Sequence, residues 1–139
     1  MAARKIFVDG TVLYAFTDRA DANHIQAVKV IEQLSLQGVQ LFTSFQVIQD
    51  VYSAINRQLG TTIGYDFLQA MIDSGIEILY PQRSDLVSTY KLIRSNSNRQ
   101  VSFREAMNAT LMSKKNVIKI LTFTNWNNLL GTEPFLQRF

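Results

Sequence analysis

Lys5-Ile-Phe-Val-Asp9-Gly10 is a short β-branched and aromatic run that stops at an acid followed by a glycine. That is the profile of a buried strand ending in a turn, and it predicts a first strand over residues 5–9 with Asp9 at its tip. The same kind of run recurs downstream. Val39 to Thr43 predicts a second strand, Ile76 to Tyr80 closed by Pro81 a third, and Val117 to Phe123 a fourth.

Helical patterns fill the intervals. Ile25, Val28, Ile31 and Leu34, after Asp21 and before Gly38, predict an amphipathic helix with a glycine stop. Ser44 can cap a helix whose apolar face is Val47, Ile48, Val51, Tyr52, Ile55 and Leu59, ending at Gly60. A further helix over residues 63–73 stops near Gly75, and Ser84 and Asp85 suit the first turn of one that turns Leu86, Tyr90 and Ile93 inward. After a polar loop over residues 95–100, Ser102 opens a helix with a stripe of Phe103, Ala106, Met107, Thr110 and Leu111. Strands separated by helices of about ten or more residues require parallel crossovers. The expected architecture is α/β: a three-layer α/β/α sandwich with a central, mainly parallel sheet, formed by a single domain over residues 1–139.

Composition narrows the chemistry. With 47% hydrophobic and 18% charged residues the 139-residue chain is of ordinary globular type. It has no cysteine, which excludes disulfides, thiolate nucleophiles and Cys-ligated zinc and accords with a reducing compartment. A single histidine, His24, argues against Ser-His-acid triads and His-rich metal sites, so acid–base chemistry falls to carboxylates or metal-bound water. His24 itself reads as a helix-surface residue. The net charge of +3 is a mild basic excess. No apolar stretch approaches the about 20 residues of a membrane span, and the N-terminus lacks an apolar signal-peptide core, so a soluble, cytoplasmic protein without a membrane partner is expected.

In open parallel sheets, sites form beyond the carboxyl ends of strands, where loops from neighbouring strands converge. Three acids fall there. Asp9 is at the first strand tip, Asp50 lies about two turns into the helix after the second strand, and Glu105 is in the first turn of the helix before the fourth. Asp50 borders Val47, Val51 and Ala54, so it is expected to be recessed and to have a partner. Each acid also has a plain structural use. Asp9 can cap the turn at Gly10 and Thr11, Asp50 can pair with a neighbouring base, and Glu105 can close a capping box onto the Ser102 backbone N–H. Thr124 and Asn125 can bond a phosphate or a metal-bound water, or cap a helix before Trp126. Arg94, Arg99 and Arg104 bracket the polar loop, where they can bind nucleic-acid phosphates or form a solvated basic face.

Val8-Asp9-Gly-Thr11-Val-Leu-Tyr-Ala15, then Thr43-Ser44 leading to Val51-Tyr52, then Val101-Ser102-Phe103 with an acid two residues on, then Leu121-Thr122-Phe123 stand in a telling order. In order and spacing, from Ile6 to about Pro134, they resemble the successive motifs of PIN (PilT N-terminal) domains, which include the toxin nucleases of VapC type. The resemblance implies a metal-dependent endoribonuclease in which Asp9, Asp50 and Glu105 hold Mg²⁺ or Mn²⁺ and activate a water to hydrolyse single-stranded RNA. Thr11, Thr124 and Asn125 would support them. It also implies a homodimer and, for a toxin, a small antitoxin protein. Three positions depart from the family pattern: Asp50 stands where Glu is usual, Glu105 where Asp is usual, and Thr124 where a fourth acid is common. The alternative is a catalytically impaired PIN-like protein with a nucleic-acid-binding or regulatory role, and Thr124 is its main support.

Overall fold

The computed structural model describes residues 4–135. Five strands, β1 (Lys5–Val8), β2 (Gln40–Ser44), β3 (Glu77–Leu79), β4 (Lys119–Leu121) and β5 (Glu133–Pro134), form one sheet in the order β3-β2-β1-β4-β5. All its pairings are parallel. Six helices connect them: α1 (Gly10–Thr17), α2 (His24–Leu36), α3 (Phe45–Leu59), α4 (Thr61–Asp73), α5 (Arg83–Ser95) and α6 (Phe103–Lys114). The four anticipated strands are present, the third and fourth shorter than their apolar runs. β5, beside Lys119 and Ile120, is too short to show any alternation in sequence.

The chain steps from β1 to β2 to β3 in one direction, then returns to place β4 on the other side of β1. Right-handed crossovers therefore put α1 to α4 on one face and α5 and α6 on the other. β1 is the switch point at which the connections diverge, and a crevice opens beyond its carboxyl end. Phe7 of β1 is level with Phe42 of β2 and Ile120 of β4, and this buried row centres the core.

α1 has no counterpart among the sequence expectations. Its segment Gly-Thr-Val-Leu-Tyr-Ala-Phe-Thr follows the strand without a polar break and shows neither period. The helix begins because the Asp9 carbonyl accepts from the Val12 and Leu13 N–H groups, at 3.1 and 3.2 Å. Gly10 lets it sit against α3: a Cβ there would lie 3.2 Å from Val51 Cγ2.

Three helix faces differ from expectation. In α2 the buried residues are Ala27, Val30 and Leu34, whereas Ile25 is 68% exposed. A spacing of three falls about 60° short of a full turn at each step, so a stripe read that way slides off the buried face. In α5 the inward residues are Asp85 and Thr89, while Leu86 and Tyr90 are exposed. The cause is a polar seam with α6. Asp85, 2% exposed, accepts from the Gln82 N–H at 2.8 Å and pairs with Lys114 at 3.0 Å, and Thr89 donates to the Thr110 hydroxyl at 3.3 Å. α6 is buried from Ala106 through Met112, with Phe103 exposed at its start.

Candidate functional site

Val8 pairs with Leu121, so the next residues, Asp9 and Thr122, leave the sheet side by side. Thr122 Oγ1 donates to Asp9 Oδ2 at 2.7 Å, and Thr11 Oγ1 donates to the same oxygen at 3.0 Å. Thr11 Oγ1 in turn accepts from the Phe123 N–H at 3.1 Å. Asp9 occupies the N-cap position of α1, yet its side chain caps no backbone N–H. Its carboxylate instead accepts from Thr11 of α1 and from Thr122 just beyond β4, and among the described residues no protein donor bonds Oδ1. Thr122 stands in the Leu121-Thr122-Phe123 motif, but its role is not legible there because its partner lies 113 residues away.

A cavity of about 780 Å³ opens here, and Asp9, Asp50 and Glu105 all line it. Thr11, Thr124, Asn125 and Arg104 line it as well. Asp50 is not recessed: its side chain is 49% exposed and pairs with Arg104 Nε at 2.8 Å. The buried stripe of α3 is Val47, Ile48, Val51 and Ile55. At about 100° per residue Asp50 sits roughly 115° from the centre of that stripe, at its border with the cavity. A pair this exposed contributes only about 0–1 kcal/mol, so Arg104 can leave Asp50 at little cost.

Glu105 is held more firmly. Half of the capping box forms, with Ser102 Oγ accepting from the Glu105 N–H at 3.0 Å. The carboxylate does not reach back; it accepts from the backbone N–H and the side-chain Nδ2 of Asn127, each at 2.6 Å. Arg99 donates to the Asn127 backbone carbonyl and, at 3.3 Å, to its side-chain oxygen. Asn127 is thus a site residue that the sequence did not disclose, since a loop asparagine carries no signal of a partner 22 residues away. Asn108 is another: its buried Oδ1 accepts from Ser44 Oγ at 2.8 Å and Gln46 Nε2 at 2.9 Å, tying α6 to the start of α3.

The structure does not bring the three loop arginines together. Arg104 reaches the cavity, Arg99 is engaged by Asn127 and Asn96, and Arg94 stacks on Tyr90 at 5.7 Å from its ring centroid. Arg57 of α3 lines the cavity instead. Tyr14 lines it too, and its phenol is pushed above the ordinary tyrosine value by burial first, then by its 2.8 Å hydrogen bond to Asp18 and the charges of Asp18 and Asp21. Trp126 donates through Nε1 to Thr132 Oγ1 at 2.9 Å, which anchors its loop. His24 is half-buried, with Nδ1 2.8 Å from the Ala15 carbonyl, and so links α1 to α2.

Mg²⁺ and Mn²⁺ take hard oxygen ligands, and Mg²⁺ commonly uses one or two carboxylates and keeps several waters. Among the described residues no three acidic or imidazole side chains are gathered closely enough to hold an ion together. Glu105 has both oxygens committed to Asn127, whereas Asp9 and Asp50 each retain an oxygen without a protein donor among the described residues. Of the three acids, Asp9 and Asp50 are therefore the cavity-lining carboxylates with an oxygen left to offer a cation.

The all-parallel five-stranded sheet, with Asp9 at the carboxyl end of its switch strand, is a fold shared with solved VapC PIN-domain structures. VapC20 of Mycobacterium tuberculosis, a toxin that cleaves the sarcin-ricin loop, superposes with a TM-score of 0.74 and 20% identity over 86% of this chain and 89% of its own. VapBC2 of Rickettsia felis, solved bound to a DNA fragment from its promoter, gives 0.72 and 9% over 94% and 97%. At these identities the likeness establishes the fold. No protein-family profile and no curated protein matches the sequence.

Proposed function

We propose that the chain is a VapC-type toxin ribonuclease that hydrolyses single-stranded RNA at the cavity beyond β1. One observation carries this reading: Asp9, Asp50 and Glu105, from three separate elements, line one cavity at the switch point of a fold shared with an RNA-cleaving toxin. Asp9 and Asp50 would hold Mg²⁺ or Mn²⁺; what the cation supplies when bound is a lowered water pKa and neutralised charge on the phosphate. Thr11 and Thr122 fix the Asp9 carboxylate by hydrogen bonds to one oxygen. Arg104, on leaving Asp50, and Arg57 offer guanidinium groups to the RNA backbone. Thr124 and Asn125, exposed at the cavity mouth, offer polar contacts to the same chain.

The same reading gives the protein a small antitoxin partner, a homodimeric state and a cytoplasmic location. The antitoxin is supported by the VapBC likeness and by an apolar groove of about 1010 Å³ lined by Leu13, Phe16, Ile31, Ile63 and Phe67. Among the described residues no helix is long and apolar enough to cross a membrane. The second reading, a nucleic-acid-binding or regulatory protein with impaired chemistry, is favoured by the closure of Glu105 onto Asn127 and by Thr124 in place of a fourth acid.

Cleavage of labelled single-stranded RNA decides between them. Wild type is expected to cleave slowly, with Mn²⁺ at least as effective as Mg²⁺; Asp9→Asn should abolish cleavage and Thr124→Asp should accelerate it. No metal-dependent cleavage by wild type or Thr124→Asp, with RNA still bound, would establish the binding role instead.

A further inference from the structure

The carboxyl rim of the sheet carries a second feature outside the acidic cavity. Ser44 of β2 pairs with Leu79 of β3, so Phe45 and Tyr80 leave the sheet next to each other. Their ring centroids are 5.5 Å apart with planes inclined at 31°. Phe45 is 45% exposed and Tyr80 61%, an aromatic pair side by side in solvent rather than in the core.

We propose that Phe45 and Tyr80 form a base-stacking platform for single-stranded RNA, continuing the substrate track from the acidic cavity across β2 and β3. The inference rests on the ribonuclease reading and adds a subsite to it. Sheet order places the elements along one rim as β3, β2, β1 and β4, so the rings lie on the same edge as Asp9. At about 4.8 Å per strand, Tyr80 is displaced from Asp9 by roughly 10 Å along the rim, within reach of a nucleotide neighbouring the scissile phosphate. Every base has a π-face, so two exposed rings hold unpaired bases without selecting sequence. Arg83, exposed three residues after Tyr80, and Arg104, which lines the cavity, flank this track with positive charge. Phe103, exposed at the first residue of α6, adds a third ring beside the cavity-lining Ser102. Arginines interleaved with exposed rings suit a polyanion carrying flat bases better than the apolar face of a protein.

Binding is measured by fluorescence anisotropy of a labelled oligouridine in EDTA, so that affinity is read without cleavage. Phe45→Ala and Tyr80→Ala are each expected to weaken binding about tenfold, within the range of one lost base–aromatic stack. Tyr80→Phe should retain wild-type affinity and Tyr80→Leu should lose it, because stacking needs the ring and not the hydroxyl or mere apolar area. Melting temperatures of the variants should stay at the wild-type value, since both side chains are exposed. Unchanged affinity in the alanine variants overturns the platform while leaving the ribonuclease reading to its own test, Asp9-dependent cleavage. If the alanine variants instead lose self-association in sedimentation with RNA affinity intact, the rings are a protein contact and the proposal fails. Failure of the wild type to bind the oligouridine overturns the platform, while the ribonuclease reading stands or falls on Asp9-dependent cleavage.

Discussion

Asp9 is available for chemistry because two hydroxyls, Thr11 and Thr122, hold one of its oxygens while α1 starts on its backbone carbonyl alone. Glu105 is the opposite case. Asn127→Ala removes the Nδ2 donor and leaves Glu105 on the backbone N–H alone, and is expected to cost about 1–2 kcal/mol of stability while tightening Mn²⁺ binding. Isothermal titration with Mn²⁺ and a melting curve check both; unchanged Mn²⁺ affinity would show that the Nδ2 donor does not restrain the site. Tyr14 gives a pH test. Because its folded-state value is raised, its contribution is fully present below the ordinary tyrosine value and is lost as pH rises through the raised one. The melting temperature of wild type is therefore expected to fall more steeply above about pH 10 than that of Tyr14→Phe. At this scale the sequence disclosed the residues whose position in the chain is itself informative. Asp9 was legible as a strand tip and Asp50 as a helix-border acid with a partner. Thr122 and Asn127 were not, because their roles come from partners brought close only by folding.

The elements were most legible where a boundary has its own chemistry. Ser44 accepts from the Val47 N–H at 3.2 Å and starts α3, and Gly38 follows α2 with φ of 71°, a conformation that favours glycine. Faces were harder. Apolar periodicity assigns α5 an inward Leu86 and Tyr90, but the buried Asp85 carboxylate, paired with a half-exposed Lys114, and a threonine contact turn polar residues toward α6. Removing one partner of that pair tests the seam. Lys114→Met leaves the buried Asp85 carboxylate with only the Gln82 N–H and is expected to cost about 1–3 kcal/mol, more than Asp85→Asn, which leaves a half-exposed lysine to solvent. Urea denaturation of the two variants measures the order, and equal losses would contradict it. Gly10→Ala tests the contact of α1 with α3. With Val51 Cγ2 3.2 Å from the new Cβ, either Val51 or α1 gives by a few tenths of an ångström; movement of α1 is expected to cost about 1–3 kcal/mol and to lower activity through a displaced Asp9. Full activity with unchanged stability would mean that the Val51 side chain yields instead.

At the scale of the molecule, alternating strands and helices were enough to establish a parallel sheet covered on both faces, whereas strand order is set by long-range packing that local pattern does not encode. The order β3-β2-β1-β4-β5 is what makes β1 the switch strand, and it sets Tyr80, Phe45, Asp9 and Thr122 along a single rim. The proposed function rests on that rim: Asp9, Asp50 and Glu105 line the cavity at the crevice, and the Phe45–Tyr80 ring pair stands on the same edge of the sheet. The most direct test is a crystal structure of the wild-type protein grown in millimolar Mn²⁺, with anomalous scattering to locate the ion. One Mn²⁺ peak is expected in the cavity, bonded by Asp9 and Asp50 and absent from Asp9→Asn; a cavity without Mn²⁺, or an ion bound away from Asp9, would contradict the proposed site.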